Sequence, residues 1–173
     1  MFSARFQVVY LVATFAVFCV VALVARAGVR RVAGAMCSVL VFAAISTPID
    51  NLGPRWGLWS YPSCANPGHP SLVVYLGQAL EFVGTIALIG WRVQRRFGTR
   101  GVVVLTAIVC GAGLARDFSV AAALPNVIRF GPMPASAIAD MLAWAIVVFI
   151  ALAVPRVVAG PAGADAIGGA QRA

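Results

Sequence analysis

The chain has 173 residues, of which 62% are hydrophobic and only 10% charged, and its net charge is +8. A soluble domain averages about 25% charged residues, so the composition excludes an ordinary soluble protein and indicates a single integral membrane domain. The arginines flank apolar runs instead of forming a continuous stripe, which argues against nucleic-acid binding.

Apolar runs separated by short polar connections make up most of the chain, and each run approaches the ~20 residues that a helix needs to cross a bilayer. The runs are Phe6 to Ala25, Val32 to Pro48, Ser71 to Trp91, Val102 to about Leu124, and Ala135 to Pro155. They predict an all-α integral membrane bundle of about five transmembrane helices over residues 1–159. Residues 160–173 are rich in Gly and Ala, and we expect a disordered cytoplasmic tail there.

Three of these runs have features that bear on where the helices end. The first run is longer than the 7–15-residue apolar core of a signal peptide, so we predict a helix that is retained. We expect the second helix to end at Pro48, because proline disrupts a helix interior. The fourth run contains Arg116 and Asp117, so its helix either continues through them or breaks there and leaves 118–124 at the interface.

The arginines are distributed unequally between the two sides of the predicted bundle. One side carries Arg26, Arg30, Arg31, Arg92, Arg95, Arg96, Arg100, Arg156 and Arg172, and the other carries Arg5, Arg55 and Arg129. By the positive-inside rule, the N-terminus is outside and the C-terminus cytoplasmic. Arginine without lysine, together with abundant Ala, Val and Gly, is typical of a GC-rich genome. We therefore expect the inner (cell) membrane of a bacterium.

Carboxylates are concentrated in the predicted membrane region, in or at the ends of the apolar runs. They are Asp50, Glu81, Asp117 and Asp140. A carboxylate in a membrane is costly and usually marks a functional site. In the predicted orientation all four lie between the midplane and the outer face, so they are able to line one cavity.

The third run provides a polar stripe around its acid. On a regular helix Gln78, Glu81 and Thr85 share one face, with Tyr75 one turn earlier. We predict that Glu81 is a proton donor, that Asp117 or Asp140 is the base or an orienting partner, and that Tyr75 and Gln78 contact the substrate. The alternative is that the acids only hold the helices together.

Arg116 is predicted to contribute to substrate binding and to pair with a carboxylate on another helix. Neighbouring residues on a helix point about 100° apart, so Arg116 and Asp117 are not expected to pair well. Glu81 and Asp140 are the predicted partners.

The connection from Pro48 to Pro70 is rich in aromatic residues. Trp56, Trp59 and Tyr61 are ordinary interfacial anchors at a membrane boundary. Alternatively they form a lid over the cavity, where aromatic faces stabilise cations. In that hypothesis these residues and Trp144 wall the pocket, and Asp50 holds the connection in place.

The same stretch resembles the lycopene cyclase domain of bacteria and fungi, through Pro48-Ile49-Asp50 and Gly57-Leu58-Trp59-Ser60-Tyr61. In that family a Pro-x-Asp-like turn precedes a Gly-x-Trp-x-aromatic motif and a helix with Glu-Glu-x-x-Phe-Phe. The resemblance runs from Val41 to Ile89. The family's two glutamates fall on Gly77 and Gln78, so this chain has a single acid, Glu81, one turn later. The resemblance implies acid-initiated cyclisation in a membrane.

Together these features predict a cofactor-independent cyclase or isomerase of the terpene or lycopene type. Its substrate is a lipophilic terpenoid or polyketide, and its surroundings are the bilayer. The alternatives are a spiroketal-forming cyclase of a polyketide pathway, a non-enzymatic subunit of a proton- or cation-coupled transporter, and a structural assembly subunit. A homo- or hetero-oligomer is left open.

Cofactor and metal chemistry are not expected. Cys19, Cys37, Cys64 and Cys110 show no C-x-x-C spacing, and His69 is the only histidine, so the sequence predicts no metal site. Gly111-Ala112-Gly113 lacks the strand that a dinucleotide-binding fold requires.

Overall fold

The computed structural model describes residues 3–64 and 70–164, which are almost entirely helical. The helices are α1 (Ala4–Val24), α2 (Val29–Arg55), α3 (Leu72–Gln78), α4 (Thr85–Ala123) and α5 (Ala135–Ala159). A π-helical segment, Ala79–Gly84, joins α3 to α4, and a 3₁₀ turn follows at Ala162–Ala164. Two short strands, β1 (Trp59–Ser60) and β2 (Arg129–Phe130), pair antiparallel. The sequence did not predict this strand pair.

Within the described residues, four helices are long and apolar enough to cross a membrane. They are Ala4–Val24, Val29–Arg55, Leu72–Ala123 and Ala135–Ala159. This confirms the prediction of an all-helical protein whose helices are long and apolar enough to span a membrane, while the count of about five stays a prediction. The third of them has 52 residues, which is ~78 Å of straight helix against a hydrocarbon core ~30 Å thick.

The long stretch Leu72–Ala123 folds back on itself at Gly98. This residue has φ 62° and ψ −152°, a conformation that glycine adopts at little steric cost. Arg116, beyond the turn, has its guanidinium carbon 4.8 Å from the ring centre of Phe82, before the turn. A straight helix would separate these residues by about 50 Å, so the two halves lie side by side.

The bundle has two ends that differ in chemistry. At the arginine end, buried Arg31 donates hydrogen bonds of 2.6 Å to the carbonyls of Gly160 and Pro161, and lies 5.6 Å from the ring of Trp91. The α1–α2 connection, the approach to Gly98 and the end of α5 therefore lie together. A cation is favourable at the C-terminus of a helix.

The opposite end, the loop end, contains the start of α1 and both longer connections. Ser71 donates a 2.8 Å hydrogen bond to Gln7, and the β1–β2 pair joins the connection after α2 to the one after α4. The core lies where α2, the π-helical segment and α5 meet. It is built of small side chains that are at most 1% exposed: Ala35, Val39, Ala79, Val83 and Ala151. Small residues of this kind allow close helix packing in membranes.

The prediction that α2 ends at Pro48 is wrong. The helix continues through Pro48 and Pro54 to Arg55. Each proline removes one backbone N–H donor, and the added turns carry Asp50, which accepts side-chain hydrogen bonds from three aromatic residues.

α4 continues through Arg116 and Asp117 to Ala123, so the predicted alternative of a break at these residues is not found. The break lies at Gly98, and helix continues past the predicted end at Trp91 up to this turn. Of the predicted tail, residues 165–173 lie outside the described residues.

Candidate functional site

A cavity of about 310 Å³ opens among the helices toward the loop end. This volume is at the lower end of the range for small-molecule sites. Most of the predicted site residues line it: Asp50, Trp59, Tyr61, Tyr75, Gln78, Arg116, Asp117, Asp140 and Trp144. Among the described residues, Glu81 and Trp56 are the predicted site residues that do not. Trp56, expected in the wall, has a side chain that is 68% exposed.

Asp50 accepts hydrogen bonds from aromatic residues on both of its oxygens. Its Oδ1 accepts from Trp59 Nε1 and Tyr61 Oη, each at 3.1 Å. Its Oδ2 accepts from Tyr75 Oη at 2.7 Å. An ionised carboxylate only accepts hydrogen bonds, so this arrangement suits Asp50 as a fixed acceptor that holds the connection over the cavity. The position agrees with the role predicted for it.

Trp59 reaches Asp50 because its indole ring packs closely against Gly53 of α2. A β carbon at Gly53 would overlap this ring, so the absence of a side chain at this position is what lets the indole approach. One structural unit therefore comprises the end of α2, Gly53 on its last turn and the aromatic connection that follows.

Tyr61 is a titratable residue of this unit that lies outside the long helices. Burial raises the pKa of Tyr61 well above its usual value, and the negative charge of Asp50 raises it further. Tyr61 is therefore a neutral hydrogen-bond donor over the whole physiological pH range.

Asp117 lies on α4 between a cation and an indole. Its Oδ1 pairs with Arg116 Nη1 at 2.6 Å, and its Oδ2 accepts from Trp144 Nε1 at 2.8 Å. The prediction that Arg116 and Asp117 do not pair is wrong. The Arg116 side chain is long enough to curve back along the helix over the ring of Phe82 and reach its neighbour.

Asp140, on α5, is the most buried acid of the cavity, with 7% of its surface exposed. Asp117 and Arg116 are the charged groups that interact with it. Its Oδ2 has no hydrogen-bond partner among the described residues. The cavity thus contains two neighbouring carboxyl groups: Asp117, which Trp144 and Arg116 hold, and Asp140, whose side chain interacts with Asp117.

Glu81 lies beside the cavity and is connected to it by Tyr10. Tyr10 lines the cavity and donates a 2.7 Å hydrogen bond to Glu81 Oε2. The predicted common face of Gln78 and Glu81 assumed regular α-helical spacing, but Glu81 lies in the π-helical segment. The wider turn rotates Glu81 away from Gln78, which does line the cavity. π-helical turns inside helices are frequent at functional sites.

Sequence reasoning missed some residues of this site. Tyr10, on α1, was overlooked because it sits in an unbroken apolar run, where a tyrosine gives no separate signal. Phe82 and Phe130 also line the cavity, and Phe130 stacks on Phe118 with ring centres 4.2 Å apart. The strand pair that positions Phe130 involves too few residues to leave a pattern.

Comparisons with protein families, curated proteins and solved structures give no match for this chain. The resemblance to the lycopene cyclase domain stays a prediction based on the residues quoted for it.

Proposed function

We propose that the protein is a membrane-embedded cyclase or isomerase that acts on a lipophilic substrate by acid–base chemistry, without a cofactor. The observation that carries the proposal is the meeting of Asp117 and Asp140 in one aromatic-walled cavity. Two neighbouring carboxyl groups hold one proton between them more readily than two negative charges. Such a pair supplies an acid and a base at the same site.

The proposed roles divide between these two carboxyl groups. Asp140 donates a proton to a double bond or carbonyl of the substrate, and Asp117 later removes a proton from the resulting cation and returns it to the neighbouring Asp140. Substrate and product are isomers, because one proton enters and one leaves. Trp144 and Arg116 fix Asp117 in place. Glu81, predicted from the sequence as the donor, orients Tyr10 in the cavity wall in this account.

The aromatic wall suits a cationic intermediate. Trp59, Tyr61 and Tyr75 are directed toward Asp50, and Phe82 and Trp144 pack edge to face with ring centres 5.2 Å apart. Aromatic faces attract cations by about 0.5–2 kcal/mol. A rigid wall also controls how the substrate folds before a ring closes.

The proposal includes five membrane crossings, with the fold-back at Gly98 separating the third from the fourth. The N-terminus is placed outside and the C-terminus in the cytoplasm of a bacterial inner membrane. This is supported by the joint position of Arg31, the approach to Gly98 and the end of α5 at one end of the bundle.

A second candidate is a subunit of a proton- or cation-coupled transporter. It is favoured by the same gathering of Asp50, Asp117 and Asp140 in one cavity, since membrane carboxylates also form ion paths. Proton or cation flux into liposomes that contain the purified protein would support this candidate. Equal flux with and without the protein would leave the enzyme proposal standing.

Deleting the gene in its natural host tests the enzyme proposal whatever the substrate is. An isomerase converts one compound into another of equal mass. The deletion strain should lose one lipophilic compound and accumulate another of identical molecular formula. The wild-type gene should reverse this change and an Asp140→Asn gene should not. Absence of such an equal-mass pair would count against a cyclase or isomerase.

A further inference from the structure

The volume of the cavity restricts how large its ligand is. The cavity has a volume of about 310 Å³, at the lower limit of the ~300–1,000 Å³ found for small-molecule sites. At the packing density of a protein interior, a ligand fills about three quarters of the space that holds it. The cavity therefore takes about fifteen carbon atoms with their hydrogens, in van der Waals contact with the wall.

The packed core closes the cavity toward the arginine end. Among the described lining residues, the one nearest to that end is Val147 on α5 and Phe42 on α2. One turn further lie Ala151 and Val39, which are 0% and 1% exposed and belong to the hydrophobic core. The cavity therefore ends where this core begins.

The strand pair closes the cavity toward the loop end. Trp59 of β1 and Phe130 of β2 are register partners, and both line the cavity. Trp59 is held in place by its 3.1 Å hydrogen bond to Asp50 on α2. The position of this end is therefore fixed by the backbone pairing of two connections and by a side-chain contact with a helix.

The distance between the two ends is short. Along α5, the wall from Asp140 to Val147 is about 10 Å long. A chain of about fifteen carbons is longer than this when extended, so it fits only in a folded form, which ring closure also requires. The cavity is open at the side, because Phe6 on α1 and the Arg116 side chain on α4 line it and are 46% and 43% exposed. A longer chain would leave its excess outside through this opening.

We infer that the substrate is a compact lipophile of about fifteen carbon atoms, the size of a sesquiterpene, which the cavity accepts in a folded form. The inference rests on the proposed function for the identity of the cavity as a substrate site. A C40 carotenoid would leave most of its chain outside the aromatic wall. The size of the cavity thus distinguishes this chain from an enzyme that encloses lycopene.

Ala143 is the residue that determines how much of this space a ligand has. It is half-buried and lines the cavity between the levels of Asp140 and Val147. A larger side chain at this position would occupy space that the ligand needs. Ala145, on the same helix, is exposed and is not part of the described lining, so it provides a matched control.

Three prenols of increasing length measure the size that the cavity accepts: geraniol (C10), farnesol (C15) and geranylgeraniol (C20). Each is added to lipid nanodiscs that contain the purified full-length protein, at matched mole fractions in the bilayer. Of the four described cysteines, only Cys64 lines the cavity, so an occupant should slow its alkylation by a maleimide. Mass spectrometry of the Cys64 peptide measures this protection, and the peptides of Cys19, Cys37 and Cys110 report non-specific effects.

Farnesol should protect Cys64 at a mole fraction about tenfold lower than geraniol, because its five further carbons add contacts with the wall. Geranylgeraniol should bring no further gain, since its additional carbons lie outside. Ala143→Val should reduce the preference for farnesol and Ala143→Phe should reverse it in favour of geraniol. Ala145→Phe should leave the order unchanged, and melting temperatures verify that each variant is folded.

Protection that still increases at geranylgeraniol, equal protection by the three prenols, protection by none, or an unchanged farnesol preference in folded Ala143→Val and Ala143→Phe would overturn the inference. The equal-mass test of the proposed function is independent of these results. An equal-mass pair of C40 compounds in the deletion strain would support the reaction and overturn the inferred size. Absence of any pair together with a farnesol preference would identify a binding site of the inferred size without the proposed reaction.

Discussion

Trp144 Nε1 donates a 2.8 Å hydrogen bond to Oδ2 of Asp117, although the two residues belong to different helices. The indole reaches this position because Gly113, one turn before Asp117 on α4, leaves room for the ring. One glycine thus determines how closely α5 approaches α4 and where an acid of the cavity is held.

Gly113→Ala should displace Trp144, because a β carbon at this position would overlap the indole ring. Overpacking of this kind costs about 1–3 kcal/mol, so the melting temperature in detergent should fall. Gly111→Ala, on the same helix, meets no atom within 4 Å. It should be neutral or stabilising by up to about 1 kcal/mol, the helix preference of alanine over glycine. Equal melting temperatures for the two variants would contradict the packing argument.

Trp59→Leu should alter the product profile, because it removes both a ring of the cavity wall and a hydrogen bond to Asp50. Because the cationic intermediate is then less stabilised, the variant should release incompletely cyclised or hydrated products and react more slowly. Trp56→Leu is the matched control, since Trp56 is exposed and lies three residues earlier in the same connection. An unchanged profile in Trp59→Leu would favour the membrane-anchor interpretation of both residues.

The stability of the folded protein should decrease at high pH through Tyr61. Its pKa is raised in the folded protein by burial and by Asp50, so the unfolded chain loses this proton first. The stabilisation is fully present below the unfolded value of about 10 and is lost as pH rises above it. Melting temperatures measured from about pH 8 to about pH 11 should fall less steeply in Tyr61→Phe. Identical slopes would show that another group controls the alkaline loss.

Reporter fusions test the five-crossing arrangement. A reporter inserted at Gly98 and another fused to the C-terminus should both be active only in the cytoplasm, since Gly98 and the end of α5 lie at the arginine end. If Leu72–Ala123 crossed the membrane once, residue 98 would lie within the bilayer. An insertion at Gly98 that reports from outside the cytoplasm would overturn the arrangement.

Much of the bundle could be predicted from the sequence, because long apolar runs have few other ways to fold. α1 and the start of α5 lie within about two residues of prediction, the usual scatter at helix ends. The end of α2 could not be predicted, since local rules place a stop at Pro48, whereas the turns beyond it carry Asp50, whose contacts come from residues distant along the chain. The predicted connection between Trp91 and Val102 contains the Gly98 turn, but most of its residues are helical.

The sequence was sufficient to predict which acids belong to the site, but only partly how they are arranged around the cavity. Asp50, Asp117 and Asp140 line one cavity as expected. Glu81 does not, because a π-helical turn changes the spacing that the periodicity argument assumed. Which hydrogen-bond partner each acid has depends on residues from other helices, such as Tyr10 and Trp144. That information is not contained in the local sequence.

The rate at which membranes containing the protein convert the compound accumulated by the deletion strain tests the central claim most directly. Asp140→Asn keeps the shape of the side chain but has no carboxyl proton to donate, so the rate should fall by ~10²-fold or more. Glu81→Gln should cause a smaller decrease, because its side-chain oxygen still accepts a hydrogen bond from Tyr10, and Trp56→Leu should have no effect. Conversion at the wild-type rate by folded, membrane-inserted Asp140→Asn would contradict acid–base catalysis by Asp140.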